Sequence, residues 1–255
     1  MKFGKLDLSR FATVTAALVF GAVVWQVTAL YTSPAFLSSF TATVARIVEY
    51  TRNGVLVDAL ASSLLLFVTG FGFAVVAGVL AGLLLARSRL LRVALESYIM
   101  ALYATPMVAL IPFILSIMGF GFAPKALVVF LFAFFPILYN TVEGARSLKP
   151  ELIEVAQSFR SSELAIWRDL LIPYTLPYAL TGIRQAVGRG LVGMVAAELF
   201  LSASGMGALI MRSSQDFDTP GLYAAILVVT ILGVVLMSLG RALENRFSAW
   251  RGLNR

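Results

Sequence analysis

Polar and apolar positions in this chain do not alternate; they separate into long blocks. Charge-free runs occupy 11–45, 59–86, 97–124, 126–142 and 219–240, and a less clean apolar run extends from 170 to 200. About 20 apolar residues let a helix cross a bilayer. In lipid, backbone polar groups must be paired within a helix or a closed barrel, and no period of two is visible, so the runs read as helices. Thr32-Ser33-Pro34 interrupts the first run, because proline disfavours helix in the residue before it. The pattern predicts an all-α polytopic membrane protein with six spans, near 11–31, 60–86, 97–118, 124–142, 177–200 and 221–240.

The expected organisation is a short N-terminus (1–10), a first span with an external amphipathic segment (11–58), a transmembrane body (59–245) interrupted by a polar loop (143–175), and a basic tail (246–255). Within 35–52, Leu37, Phe40, Val44, Ile47 and Val48 fall at helical spacing and Asn53-Gly54 marks a turn, which predicts a short helix lying on the membrane surface or on the bundle. The first span follows Lys2, Lys5 and Arg10 as a secretory signal would. Its apolar run is too long for one and no small-x-small site follows it, so it is expected to stay as an anchor.

Composition agrees with lipid as the solvent. Hydrophobic residues make up 60% of the 255, charged residues 13%, and mean hydropathy is +0.91, whereas a soluble domain carries about a quarter charged residues. Cysteine and histidine are both absent. That excludes disulfides, Cys or His metal sites, and Ser-His-Asp catalysis. The net charge of +7 follows membrane topology rather than nucleic-acid binding. With both ends inside, the inner segments hold Lys2, Lys5, Arg10, Arg87, Arg89, Arg92, Arg146, Lys149, Arg160, Arg168, Arg241, Arg246, Arg251 and Arg255. The outer ones hold only Arg46, Arg52, Lys125 and Arg212. An excess of basic residues marks the cytoplasmic side.

Charges inside a membrane are costly and point to function or to pairing. The fifth span carries Arg184, Arg189 and Glu198. Arg184 and Glu198 fall near one face but about 21 Å apart along a regular helix, and Arg189 lies nearly opposite Glu198. None can neutralise another within the helix, so each requires water, another helix or another subunit. Arg189, with Arg184 beside it, offers positive charge to an anion in a pathway; structural pairing is the alternative for both. Glu198 reads as a gate or interface residue near the outer end. Thr105-Pro106, Pro112 and Pro136 interrupt spans three and four, and such breaks are tolerated where they face protein or a wet cavity. Tyr103, Thr105 and Asn140 are therefore candidates to line a path, with simple helix packing as the competing role. Gly188-Arg189-Gly190-Leu191-Val192-Gly193 is a literal GxGxxG, but it lacks the preceding strand of a dinucleotide site and reads as helix packing, as does Gly78-x-x-x-Gly82. No Walker A sequence is present.

The polar loop contains a compact amphipathic block, "EVAQSFRSSELAIWRDLLIP" (154–173). It reads as two short helices. Pro150 and Glu151 suit the first turn of one; Ser162 caps the other, with Glu163 in its first turn. Leu164, Trp167 and Leu171 are expected to share one face, with Ile166 and Leu170 beside it, and Pro173 and Pro177 to end that helix and start the fifth span. Neither helix is long enough to cross, so the pair either rests on lipid headgroups or docks a soluble partner.

Glu154-Val155-Ala156 followed by Leu170-Leu171-Ile172-Pro173 resembles the EAA loop of ATP-binding cassette importer permeases, whose pattern runs Glu-Ala-Ala-x3-Gly-x9-Ile-x-Leu-Pro. The flanks "FFPILYNTVEGARSLKPELIEVA" (134–156) and "LPYALTGIRQAVGRGLVGMVAAELF" (176–200) are similar to the subgroup that imports nitrate, sulfonates, taurine and thiamine precursors. The resemblance covers about residues 30–245. It implies a type I ABC importer permease fold and a homodimer in a bacterial inner membrane. It implies a separate ATPase dimer, carrying ATP and Mg, on the cytoplasmic side, and a soluble or lipid-anchored substrate-binding protein outside. The chain itself would be no enzyme and hold no cofactor. The resemblance assigns the coupling role to Glu154, Val155, Ala156, Arg160, Ser162, Trp167, Leu170, Ile172 and Pro173. Two departures stand out. The family glycine falls on Arg160, which implies a reshaped turn or a contact between Arg160 and the ATPase. The family's Ser-Leu-x-Arg reads Ser63-Leu64-Leu65-Leu66 here. An ATPase-independent secondary transporter or channel, and a membrane-embedded enzyme, are the competing classes; neither inverted repeats nor a catalytic constellation is evident.

Overall fold

The computed structural model of the chain describes residues 3–201 and 204–248. Most of the expected basic tail, 249–255, and the first two residues lie outside that range. All regular structure among the described residues is helical: α1 (Phe3–Leu30), α2 (Phe40–Arg52), α3 (Val55–Arg87), α4 (Arg89–Ala104), a 3₁₀ turn (Met107–Leu110), α5 (Ile111–Met118), α6 (Phe122–Arg146), α7 (Pro150–Ser158), α8 (Glu163–Ile166), α9 (Ile172–Leu201), α10 (Met206–Gln215) and α11 (Thr219–Ser248).

Among the described residues, four helices are long and apolar enough to cross a membrane: α1 from Ala12, α3, α6 and α11 to Ala242. The α4–α5 pair makes a fifth if its two arms form one span. They are bent by 93°, at the Thr105-Pro106 interruption expected within the span over 97–118. Thr105 is extended (φ −68, ψ 133) because Pro106 disfavours helix there. The remaining expected span, α9, has the length, 30 residues, but not the apolarity. α2 occupies the segment expected as a short helix, and its Ser39 cap accepts the Ala42 N–H at 3.2 Å. α3 begins at Val55 rather than near 60, since Gly54 (φ 77) reverses the chain and Asp58 favours the positive first turn.

α3, α6 and α9 form the centre. Leu66, Phe67, Val129, Val187, Leu191 and Met194 make one buried cluster, and Ala74, Ala133, Ile137 and Ala186 another. Lipid tails are as apolar as leucine, so helices in a membrane associate through close packing of small residues. Gly78 and Gly82 serve this purpose: a Cβ on Gly78 would lie 2.9 Å from Ile137, and one on Gly82 would lie 2.6 Å from Thr141. At one end of the bundle Leu56, Ala59, Met206 and Ala225 join α3, α10 and α11. The same end is tied to α2 by Arg46 and Tyr50, which bond Asp218 at 2.9 and 2.8 Å. α1 attaches there through Trp25, whose indole N–H donates to the Ser38 carbonyl at 2.8 Å.

The boundary between the polar loop and the fifth span differs from expectation. Pro173 and Pro177 do not separate two helices. α8 runs through a π turn (Trp167–Leu171) directly into α9. Pro173 has no N–H for the Asp169 carbonyl, and its ring would crowd that group in an α ladder. The wider π turn immediately before it, in which the Ile172 N–H reaches the Trp167 carbonyl, relieves both problems.

The packing separates two otherwise similar substitutions. A Cβ on Gly144 would stand 2.3 Å from Tyr178 Cβ, whereas one on Gly188 meets nothing within 4 Å. Gly144→Ala is expected to destabilise the α6–α9 contact by about 1–3 kcal/mol, read as a lowered Tm in detergent. Gly188→Ala, in the GxGxxG segment, is expected to leave Tm unchanged or raise it slightly.

Candidate functional site

The α7–α8 hairpin sits on the end of the bundle where α3 and α6 finish. Leu83, Ala145, Leu148 and Leu171 form a buried cluster there, with Ile153, Trp167 and Leu170 packed against it. Ser162 caps α8 by accepting the Ala165 N–H at 3.2 Å. Glu163 bonds Arg87, the last residue of α3, with Nε to Oε2 at 3.3 Å. The hairpin is thus seated on its inner side. On its outer side Leu152 and Val155 of α7 and Phe159, its C-cap, are exposed at i, i+3 and i+7, Phe159 at 82%, and Glu154 is exposed beside them.

Leu164 joins this outer surface at 77% exposure, which corrects its expected place with Trp167 and Leu171. Residues seven apart return to one face of an α-helix, but the π turn delays the helical phase. Ile166 takes the buried position instead.

Arg160 is the sharpest departure from the loop pattern, and the structure shows what it does to the backbone. Its φ is 54, the left-handed conformation that glycine adopts freely. The Ser161 N–H bonds the Ala156 carbonyl at 3.0 Å and the Arg160 N–H bonds the Gln157 carbonyl at 2.8 Å. This is the paired hydrogen-bond pattern of a helix ending in a left-handed residue. The turn is not reshaped; arginine bears the backbone conformation itself. Ala156 accordingly has a structural role, since its carbonyl closes the α7 terminus.

A second feature lies farther along α9. A cavity of about 260 Å³ opens between α4, α6 and α9, and its walls include Tyr103, Thr105, Phe132, Phe135, Arg189 and Val192. The Arg189 guanidinium lies over the Tyr103 ring, 4.8 Å from its centroid, a cation–π contact. Tyr103 stacks in turn on Tyr139 at 6.0 Å. The cavity presents one cationic side chain against aromatic walls.

Three of the sequence-derived pathway residues, Tyr103, Thr105 and Arg189, therefore meet around one space. The other three do not. Asn140 links α6 to α9, donating to the Pro136 carbonyl at 2.8 Å and to Gln185 Oε1 at 3.3 Å. Arg184 Nε lies 2.6 Å from Glu244 Oε2 on α11, and Thr181 donates to the other Glu244 oxygen at 2.8 Å. Glu198 is buried at the far end of α9, where it accepts from Ser63 on α3 and from Gly207 on α10. Sequence reasoning missed Phe132, Phe135 and Val192, which stand in uniformly apolar runs without distinguishing neighbours. It also missed Leu152 and Phe159, which flank Val155 on the outward set, although the helical spacing was there to read.

The family described as binding-protein-dependent transport system inner membrane component matches residues 74–249. The formylaminopyrimidine transport permease protein ThiX of Halalkalibacterium halodurans is 28% identical over 230 residues, 90% of this chain and 92% of that protein. The putative aliphatic sulfonates transport permease protein SsuC of Bacillus subtilis is 32% identical, with 72% of this chain and 66% of that protein covered. The taurine transport system permease protein TauC of Escherichia coli is 30% identical, with 76% and 70% covered. Among solved structures, an inward-facing MetNI methionine ABC transporter chain has a TM-score of 0.65 at 17% identity, covering 75% of this chain and 95% of that one.

The strained turn yields a direct test. Arg160→Gly is expected to preserve the reversal and slow amide exchange at Ser161 by a few-fold, a gain of up to about 1 kcal/mol after the cost of a freer unfolded chain. Arg160→Val, β-branched at a positive φ, is expected to open it. Hydrogen exchange of a peptide spanning 155–165 reads both.

Proposed function

The chain belongs to the binding-protein-dependent transport system inner membrane component family and is the permease component of an ABC importer; from that premise we propose how its two features act. The α7–α8 hairpin is the element that docks a separate ATPase, and the Arg189 cavity is part of the path the solute takes. The observation that carries this reading is the hairpin itself. It is capped, seated on the bundle by its inner face, uncovered on its apolar outer face, and continuous through the π turn with the helix that bears Arg189. A displacement imposed on the hairpin by ATP-driven closure of an ATPase dimer would reach α9 without crossing a flexible joint.

In this proposal α9 and the bent α4–α5 pair complete six spans, with both termini and the hairpin on the cytoplasmic side, as the basic-residue bias favours. Two copies of the permease enclose the path, in a bacterial inner membrane. A substrate-binding protein delivers solute at the end formed by α2 and α10. ATP and Mg are held by the partner ATPase and no cofactor is held by this chain.

The cavity favours a small organic anion. A guanidinium attracts an anion at about 4 Å by roughly 1–4 kcal/mol, depending on how wet the site is. That is enough to select for charge and weak enough to allow release. The walls of Phe132, Phe135 and Tyr103 suit a solute with an apolar or planar body better than an inorganic ion. The sulfonate and taurine names of two relatives fall within that class, since both carry a sulfonate group.

The test is coexpression with the ATPase encoded beside this gene, purification, and assay in nanodiscs and proteoliposomes. Phe159→Asp and Glu154→Lys are expected to weaken ATPase association about tenfold or more. Arg189→Gln is expected to leave association intact and to lower uptake of taurine and benzenesulfonate about tenfold. Undiminished association in Phe159→Asp and Glu154→Lys would overturn the docking assignment. Undiminished uptake in Arg189→Gln would overturn the pathway assignment.

A further inference from the structure

Glu198 is 1% exposed, and nothing in the docking or pathway reading uses it. Its two carboxylate oxygens are divided between two other helices. Oε1 accepts the Ser63 hydroxyl of α3 at 2.7 Å, and Oε2 accepts the Gly207 N–H in the first turn of α10 at 2.8 Å. The Ser63 oxygen itself accepts the Met206 N–H, the first of α10, at 2.8 Å. The cap residue of α10, Gly205, offers no side chain of its own. The orphan amides of a helix start are ordinarily met by a local serine, threonine or aspartate. Here they are met by residues 9 and 143 positions away in the chain.

The surrounding sequence is built around this carboxylate. A Cβ on Gly205 would lie 2.2 Å from Glu198 Oε1, and one on Gly207 would lie 2.6 Å from Glu198 Cβ. Met206 between them is fully buried. The motif Gly205-Met206-Gly207 thus admits Glu198 to the helix start and excludes anything larger at either side. The Lys125 ammonium at the start of α6 adds an attractive charge.

We propose that Glu198 is a positioning residue that fastens α10 to α9 and α3, so that the short helix at the delivery end moves as one body with the helix whose other end is the hairpin. The proposal rests on the permease reading. α8, the π turn and α9 form an unbroken helical rod over 163–201, roughly 55 Å long. Glu198 is the clasp at its far end. Through it, a shift at the ATPase-facing end is imposed on the short helix where solute enters, although the two lie on opposite ends of the bundle.

The experiment uses the permease–ATPase complex in nanodiscs, with hydrogen exchange of a peptide spanning 204–215 and uptake of taurine or benzenesulfonate per ATP hydrolysed. Glu198→Ala is expected to speed exchange at Met206 and Gly207 by about tenfold and to lower uptake per ATP by a similar factor. ATPase copurification and hydrolysis should persist. Glu198→Gln, which keeps one acceptor oxygen, should recover part of both losses. Ser63→Ala leaves the Glu198–Gly207 bond and should give a milder form of the same pair of effects; it also serves if Glu198→Ala fails to fold. Unchanged exchange in α10 would overturn the clasp, and loosened α10 with uptake per ATP unchanged would overturn its coupling role. Failure of the permease reading shows separately, as a wild-type chain that binds no ATPase.

Discussion

A helix buried among others in a membrane must have each of its charges answered by protein, because lipid answers none. α9 carries three, and each is met from a different direction. Glu244 on α11 meets Arg184, the Tyr103 ring on α4 meets Arg189, and Ser63 on α3 with the first amides of α10 meets Glu198. These contacts fix how α9 is rotated and which neighbours it must have. The glycine-lined approaches of α3 and α6 then set how closely the apolar parts of the bundle come together. The helix that is least suited to lipid by composition is for that reason the one most firmly placed by its neighbours.

This arrangement also divides labour along α9. The π turn that leads into it belongs, through Leu171, to the hairpin cluster with Leu83 and Leu148. The middle of α9 faces the cavity with Arg189. Its last turns reach α10. The hairpin holds its shape by a serine cap on α8 and a left-handed Arg160 closing α7, and an ion pair from Glu163 ties it to Arg87 on α3. An arginine at such a position costs about 1–2 kcal/mol relative to glycine. The two hydrogen bonds it closes, Ser161 to Ala156 and Arg160 to Gln157, offset that cost locally.

Much of the fold was legible because lipid writes itself into sequence as long charge-free blocks. α1, α3, α6 and α11 follow from those blocks, and α2 from its spacing and its Asn53-Gly54 turn. The hairpin was legible from Pro150, Ser162 and the loop pattern. The partners of charged residues were not, since Ser63 and Glu198 stand 135 positions apart and no local pattern connects them. Pro106 announced a break, but the 93° angle between the arms depends on what each arm packs against. Leu164 was misplaced for a definite reason: counting by sevens presumes an uninterrupted α ladder, and the π turn adds to it.

That turn has a consequence for how the gene can vary in length. A π turn accommodates one residue more than an α turn, so the direction in which the hairpin faces, measured around the α9 axis, is nearly the same with that residue as without it. Deleting one residue within 167–171 would let the turn close as an α turn and leave what precedes it close to its present azimuth, whereas the same deletion in a regular stretch of α9 would rotate everything before it by about 100°. In that second case Leu152, Val155 and Phe159 would point along a different azimuth while every residue of the docking surface remained present. The π turn beside Pro173 is thus a place where this rod can lose a residue and still present the same docking surface.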